Sequence, residues 1–216
     1  MKKALFTIFA ILLLTAAKSQ VKTEFIGLVK YTHNVIPKVK DYDVNYDYSG
    51  IGKSSDYYFK DANIKWLTYE SYFKMDLFIA KENRDYFLTA KSDTVFTLKN
   101  TNRDFDVVDY KITAAAPILG HKCNVLELKL KPLDADSPVT FRRYYFSDDF
   151  YIDPKKFANC KSSAYDIIYG QMKSIPLKIE FEFENRIVVW EASEVTPMKL
   201  DSHFFEIEKN AVIGYW

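Results

Sequence analysis

Alternation of apolar and polar positions runs through most of the chain. In Tyr42-Asp43-Val44-Asn45-Tyr46-Asp47-Tyr48 every even position is aromatic or aliphatic and every odd one polar. The same phase holds in Leu177-Lys178-Ile179-Glu180-Phe181-Glu182-Phe183-Glu184, and Leu126, Leu128 and Leu130 alternate with Glu127, Lys129 and Lys131. A period of two predicts strands with one face buried and one solvated, as in antiparallel sheets. Asn185-Arg186 separates the 177–184 strand from Ile187-Val188-Val189-Trp190, a continuous apolar run that reads as a more deeply buried return strand. Further strands are predicted near Phe25–Tyr31, Ser55–Phe59, Ile64–Thr68, Tyr72–Ile79, Asp85–Leu88, Thr94–Leu98, Val107–Ile112 and Val139–Ser147. Turn signals separate them at Lys60-Asp61, Glu82-Asn83, Lys91-Ser92-Asp93, Asn100-Thr101-Asn102 and Asp134–Pro138, so the connections are short and the strands should meander. One helix start stands out, Asp153-Pro154, with Asp as N-cap and Pro at the first helical position, and it predicts a turn or two into Lys155–Ala158. A curved sheet of this many strands must close or cover its concave face.

The first residues follow another pattern. Lys2 and Lys3 precede an apolar run from Ala4 to Leu14, and Ala17-Lys18-Ser19 offers a small-x-small cleavage site. This predicts a secretory leader over residues 1–19, cut after Ser19, too short in its apolar part to span a bilayer. No cysteine follows the run to take a lipid anchor, and no later stretch is long and apolar enough to be a transmembrane segment. The expectation is an exported protein, periplasmic or extracellular, soluble after cleavage. Taking 19 from 216 residues leaves 197, read as a single β domain over 20–216, since no linker-like tract divides it. The leader's three lysines come off a total of 30 basic residues, leaving 27 against 29 acidic ones. Such a balance supplies no electrostatic reason to bind nucleic acid. Aromatic residues make up 17% of the chain, which marks strands first and ligand walls second.

The candidate chemistry is sparse. Cys123 and Cys160 are an even pair in an exported chain and predict a disulfide, which would stabilise by roughly 3–4 kcal/mol in the loop-entropy treatment. The alternatives are two buried thiols or a redox pair. His33, His121 and His203 lie far apart, in no metal-ligand spacing. Asp41-Tyr42-Asp43-Val44-Asn45 has the opening of a calcium loop, but Tyr46 stands where glycine is required and Gly52 where a bidentate glutamate is. There is no nucleophile elbow, P-loop or dinucleotide fingerprint, so neither a catalytic residue, a cofactor nor a metal is assigned.

Ile118-Leu119-Gly120-His121-Lys122-Cys123, followed by an alternating strand and an aromatic strand ending in Tyr144-Tyr145-Phe146-Ser147-Asp148-Asp149, resembles the GLPGLI-type secreted proteins of Bacteroidetes and related families of unknown function. Tyr169–Lys178, with its Ser174-Ile175-Pro176-Leu177-Lys178 return, and the closing Leu200–Ile207 segment are similar to the same families. The Gly-Leu-Pro-Gly-Leu-Ile signature itself is missing. The resemblance implies a fold like that of the periplasmic lipoprotein carriers. That is a mainly β protein, a single strongly curved antiparallel sheet or half-barrel with one or two short helices. It brings no catalytic residues.

The expected function is a non-enzymatic binding protein holding an apolar or amphipathic ligand, a lipid or a lipidated partner, in the curved sheet. A structural or interaction module of the cell envelope with a packed core, binding an envelope protein, is the alternative, and a carboxylate-based hydrolase the third reading. The candidate ligand-facing side chains are the inward positions of two alternating segments: Ile179, Phe181 and Phe183, and Tyr42, Tyr46 and Tyr48. A one-residue slip of the first segment would bury Glu180, Glu182 and Glu184 instead.

Overall fold

The computed structural model describes residues 22–103, 105–132 and 140–215. The leader over 1–19, its cleavage point and the turn at Asp134–Pro138 lie outside the described residues. The described chain forms β1 (Gly27–Pro37), α1 (Val44–Ile51), β2 (Ser54–Lys60), β3 (Asn63–Thr68), β4 (Phe73–Ile79), β5 (Arg84–Thr89) and β6 (Val95–Lys99). It continues with β7 (Phe105–Ile118), β8 (His121–Pro132), β9 (Thr140–Tyr151), α2 (Tyr165–Met172), β10 (Ser174–Glu182), β11 (Arg186–Pro197) and β12 (Ile213–Tyr215).

All strands belong to one sheet, in the order β12-β6-β5-β4-β3-β2-β1-β11-β10-β9-β8-β7. It consists of two antiparallel meanders, β1 to β6 and β7 to β11, joined where β1 pairs with β11 from Gly27↔Pro197 to Pro37↔Arg186. The short β12 adds to β6 in parallel, and the sheet is not closed. The turn-separated segments of the sequence therefore become neighbouring strands, as short connections require.

One face of the sheet carries the core. Val29, Tyr31 and Val35 of β1, Leu126, Leu128 and Leu130 of β8, and Leu177 and Ile179 of β10 are buried on it. The opposite face of the second meander carries a ladder of charges. Arg143 of β9 reaches Glu127 of β8 at 2.6 Å and Glu182 of β10 at 2.7 Å, while Lys178 reaches Glu180 at 3.1 Å. Glu182 is thus matched across strands and Glu180 along its own, on the face the alternation assigns them.

The connection from β9 to β10 returns across the core face. Asp153 caps a short 3-10 turn, Pro154–Phe157, by accepting from the Lys155 amide, as the Asp-Pro signal predicts. Phe157 is completely buried, stacking on Phe78 of β4 at 5.8 Å and on Tyr169 of α2 at 4.1 Å. Helix α2 buries Ile168, Tyr169 and Met172, three and four residues apart, against the same face. The chain after β11 covers part of the other face: Phe205 is buried, and Lys65 of β3 donates to the Phe204 carbonyl at 2.9 Å.

Two expectations are corrected. The segment Tyr42–Tyr48 is not a strand, because local capping overrides its alternation. Asp43 accepts from the Asn45 amide at 3.0 Å and starts α1, and Gly52, at φ +72°, ends it. Helical spacing then turns Val44, Tyr48 and Ile51 toward the core and leaves Tyr46 outside, 74% exposed. The second correction concerns the cysteines: both are buried and no disulfide joins them. Cys123 turns its thiol to the His121 carbonyl of its own strand at 3.3 Å, and the two side chains serve as small apolar fillers of the core.

Candidate functional site

Where the first meander faces β10 and β11, the core face opens into a cleft of about 520 Å³. Its walls are aromatic: Trp66 of β3, Phe73 of β4, Phe87 of β5, Phe181 of β10 and Trp190 of β11, with Phe183 beyond the end of β10. Leu98 of β6 closes one side. The rings support one another, with Trp66 and Trp190 at 5.2 Å and Phe181 edge-on to Trp190 at 5.1 Å. Such pairs add to the burial energy and hold the wall in place. A smaller cavity of about 250 Å³ continues inward from it, sharing Trp66, Asp76, Phe181 and Trp190 and reaching Tyr144 and Ile179.

The polar groups of the cleft sit at two places. At one end Arg186 donates to Asp47 of α1 at 2.8 Å, and the Tyr42 hydroxyl donates to the second oxygen of the same carboxylate at 2.7 Å. The Arg186 guanidinium also lies 4.0 Å from the centre of the Phe183 ring. Burial, and then the bond to Asp47, push the Tyr42 phenol up to about 12. On the floor stand Asp76 of β4 and Asp85 of β5. In the β4–β5 ladder Asp76 faces Phe87 and Asp85 faces Phe78, so the two carboxylates are diagonal neighbours on the same face of the sheet. Burial drives the Asp76 carboxyl well above the usual carboxylate range, and the charge of Asp85 adds to the effect.

The structure gathers three of the six ligand-facing candidates around this space. Phe181 and Phe183 line the cleft, and Ile179 is buried beside the inner cavity. Tyr42 acts from outside, through its bond to Asp47. The Tyr48 hydroxyl accepts from the Val35 amide at 3.2 Å and so ties α1 to β1, while Tyr46 points to solvent. Sequence reasoning missed Trp66, Phe87, Asp76, Asp85 and the Asp47–Arg186 pair. One local signal existed: in Phe73–Phe78 a carboxylate shares its strand face with Phe78, breaking the rule that inward positions are apolar.

Among the described residues no group of three or more His, Cys, Asp or Glu side chains is arranged to hold a metal ion, and no helix is long and apolar enough to cross a membrane. No family model matches the chain, and no curated protein matches it.

Proposed function

We propose that this chain is an exported, non-enzymatic binding protein whose strongly curved sheet holds one apolar or amphipathic molecule in the aromatic cleft. The observation that carries this reading is the cleft itself: about 520 Å³, walled by rings from strands on both meanders, with a few polar groups at defined points. That size and composition are those of a small-molecule site.

Chain connectivity supports the curvature. Strands β6 and β7 lie ten positions apart in the sheet order, about 48 Å in a flat sheet at about 4.8 Å per strand. Only residues 100–104 join them, and that length of chain reaches about 22 Å at most. Bonds across the core face support it as well. The Lys161 amide donates to the Asn100 carbonyl at 2.8 Å, and Arg103 pairs with Asp166 of α2 at 2.8 Å.

The Asp76–Asp85 pair is the observation that favours a hydrolase. Its surroundings favour binding instead, because six aromatic rings form the walls and the arginine in the lining, Arg186, is held by Asp47. Native mass spectrometry of the purified protein tests the reading, with a co-purifying small molecule as the expected result. Phe181→Asp places a charge on the wall and is expected to abolish ligand retention. Unchanged co-purification in a folded Phe181→Asp protein would remove the carrier role from this cleft.

A further inference from the structure

The sheet ends in two unlike edges. β12 has three residues and β7 has fourteen, and among the described residues the outer side of β7 pairs with no strand. From Val108 to Ala114 every residue of β7 is exposed. Tyr110 and Ile112 stand opposite Leu128 and Leu126 of β8 and so extend the core face, yet both are exposed where those leucines are completely buried. A long edge with an apolar face is a template for another strand. The charges beside it specify which strand fits. On the opposite face one cross-strand row runs through Glu180 of β10, Arg143 of β9, Glu127 of β8 and Lys111 of β7, each directly opposite the next. Its signs alternate, with contacts of 3.7, 2.6 and 2.9 Å. The row stops at the edge on Lys111, whose side chain is 66% exposed. The next position calls for a carboxylate, and β7 itself carries one: Asp109, two residues from Lys111 and on the same face.

We propose that β7 is a self-association edge, pairing antiparallel with β7 of a second copy of this chain about a two-fold axis at Tyr110. In a pair centred there, Lys111 stands opposite Asp109 of the second copy and Asp109 opposite its Lys111, so the charge rows of both copies are completed at once. The axis is perpendicular to the sheet and keeps the two core faces on one side. Tyr110 then meets its own counterpart and Ile112 approaches Val108, which covers the exposed apolar side chains of the edge. The Tyr110 amide, held at 2.8 Å by the Asp109 carboxylate of its own strand, passes to the main chain of the second copy and frees that carboxylate for lysine. Centring the pair one residue to either side would set Asp109 against Asp109 or Lys111 against Lys111. Like charges directly opposite are destabilising, so the register is specified.

Sedimentation velocity of the purified protein, at on the order of 50 µM and low salt, tests this, with a dimer as the expected result. Asp109→Lys makes both edge charges positive and Lys111→Asp makes both negative. Each variant alone should associate at least about tenfold more weakly, and an equimolar mixture of the two should recover the dimer, because each supplies the charge the other lacks. A cysteine reads the register. Tyr110→Cys places the two new thiols opposite each other, and mild oxidation should give a covalent dimer, while Thr113→Cys on the same exposed edge should not. Cys123 and Cys160 are buried and stay out of the reaction. A monomeric wild type overturns the proposal, and so does a dimer unmoved by both charge reversals in folded protein. Should the reversals not fold, the cysteine variants decide: no covalent dimer from Tyr110→Cys, or one formed as readily from Thr113→Cys, overturns it.

Discussion

His33 shows how much one buried side chain contributes to the pH response of this protein. It is 6% exposed and stacks on Trp190 at 4.9 Å. Nδ1 donates to the Gly52 carbonyl at 3.2 Å, so Nε2 accepts from the Ser55 hydroxyl at 2.8 Å. Burial lowers its pKa to about 4, against the bonds to the 51–52 backbone that raise it. Between about 4 and 6.5 the unfolded chain then binds a proton there that the folded one does not, so stability rises with pH across that window. About 3 kcal/mol from this group should be present above pH 6.5 and lost as the pH falls to 4. An NMR titration of the His33 ring, with a midpoint near 4, and urea melts of wild type against His33→Gln check it. Asp76 works in the opposite direction. Its folded pKa is raised, so its contribution is most favourable below the unfolded carboxylate range and is lost as pH rises through the folded value. Asp76→Asn should therefore raise the melting temperature at pH 8, with the gain fading toward pH 4.

Among the elements, α1 is the one whose sequence is most misleading. The seven residues Tyr42–Tyr48, five of them in α1, alternate as a strand would, yet Asp43 and Gly52 bracket a helix of two turns. The cap is worth about 1 kcal/mol, which is the expected loss for Asp43→Ala in denaturant melts. Gly52 matters more. A Cβ there would sit 2.3 Å from the Tyr69 carbonyl oxygen, on a backbone at φ +72°. Gly52→Ala should therefore cost more than about 1 kcal/mol and loosen the helix that carries Asp47 to Arg186. Elsewhere the strands read from the sequence are strands of the fold, while the short β12 is not among those read. The hairpin at Asn185, the inward phase of Leu126–Leu130 and that of β10 follow from local periodicity. Helix α2 was legible in principle, through Tyr165, Ile168, Tyr169 and Met172 at positions i, i+3, i+4 and i+7. A glycine in its last turn and a start without a side-chain cap weakened that signal.

For the molecule as a whole, the β9–β10 connection decides whether the sheet encloses solid core or open space. Phe157 and Tyr169 fill one part of the core face, and the cleft borders the middle of that segment, at Ser162 and Ser163. Phe157→Ala should destabilise by about 3–5 kcal/mol, with the transition shifted in thermal melts, because a completely buried ring between Phe78 and Tyr169 leaves a cavity the sheet cannot close.

The amino-acid order alone determined the strand segments, most of their turns and which side chains point inward, because a two-residue period and its punctuation are set within a few residues of chain. Tertiary structure decided what those inward faces meet. Pairing of β1 with β11 joins residues some 160 positions apart and brings Trp190 beside Trp66. The diagonal of β4 and β5 sets Asp76 near Asp85, and α1 delivers Asp47 to Arg186. Whether Cys123 met Cys160 turned on the same long-range placements. No local pattern encodes them, since each depends on the position of a strand or helix that the residue's own neighbours do not specify.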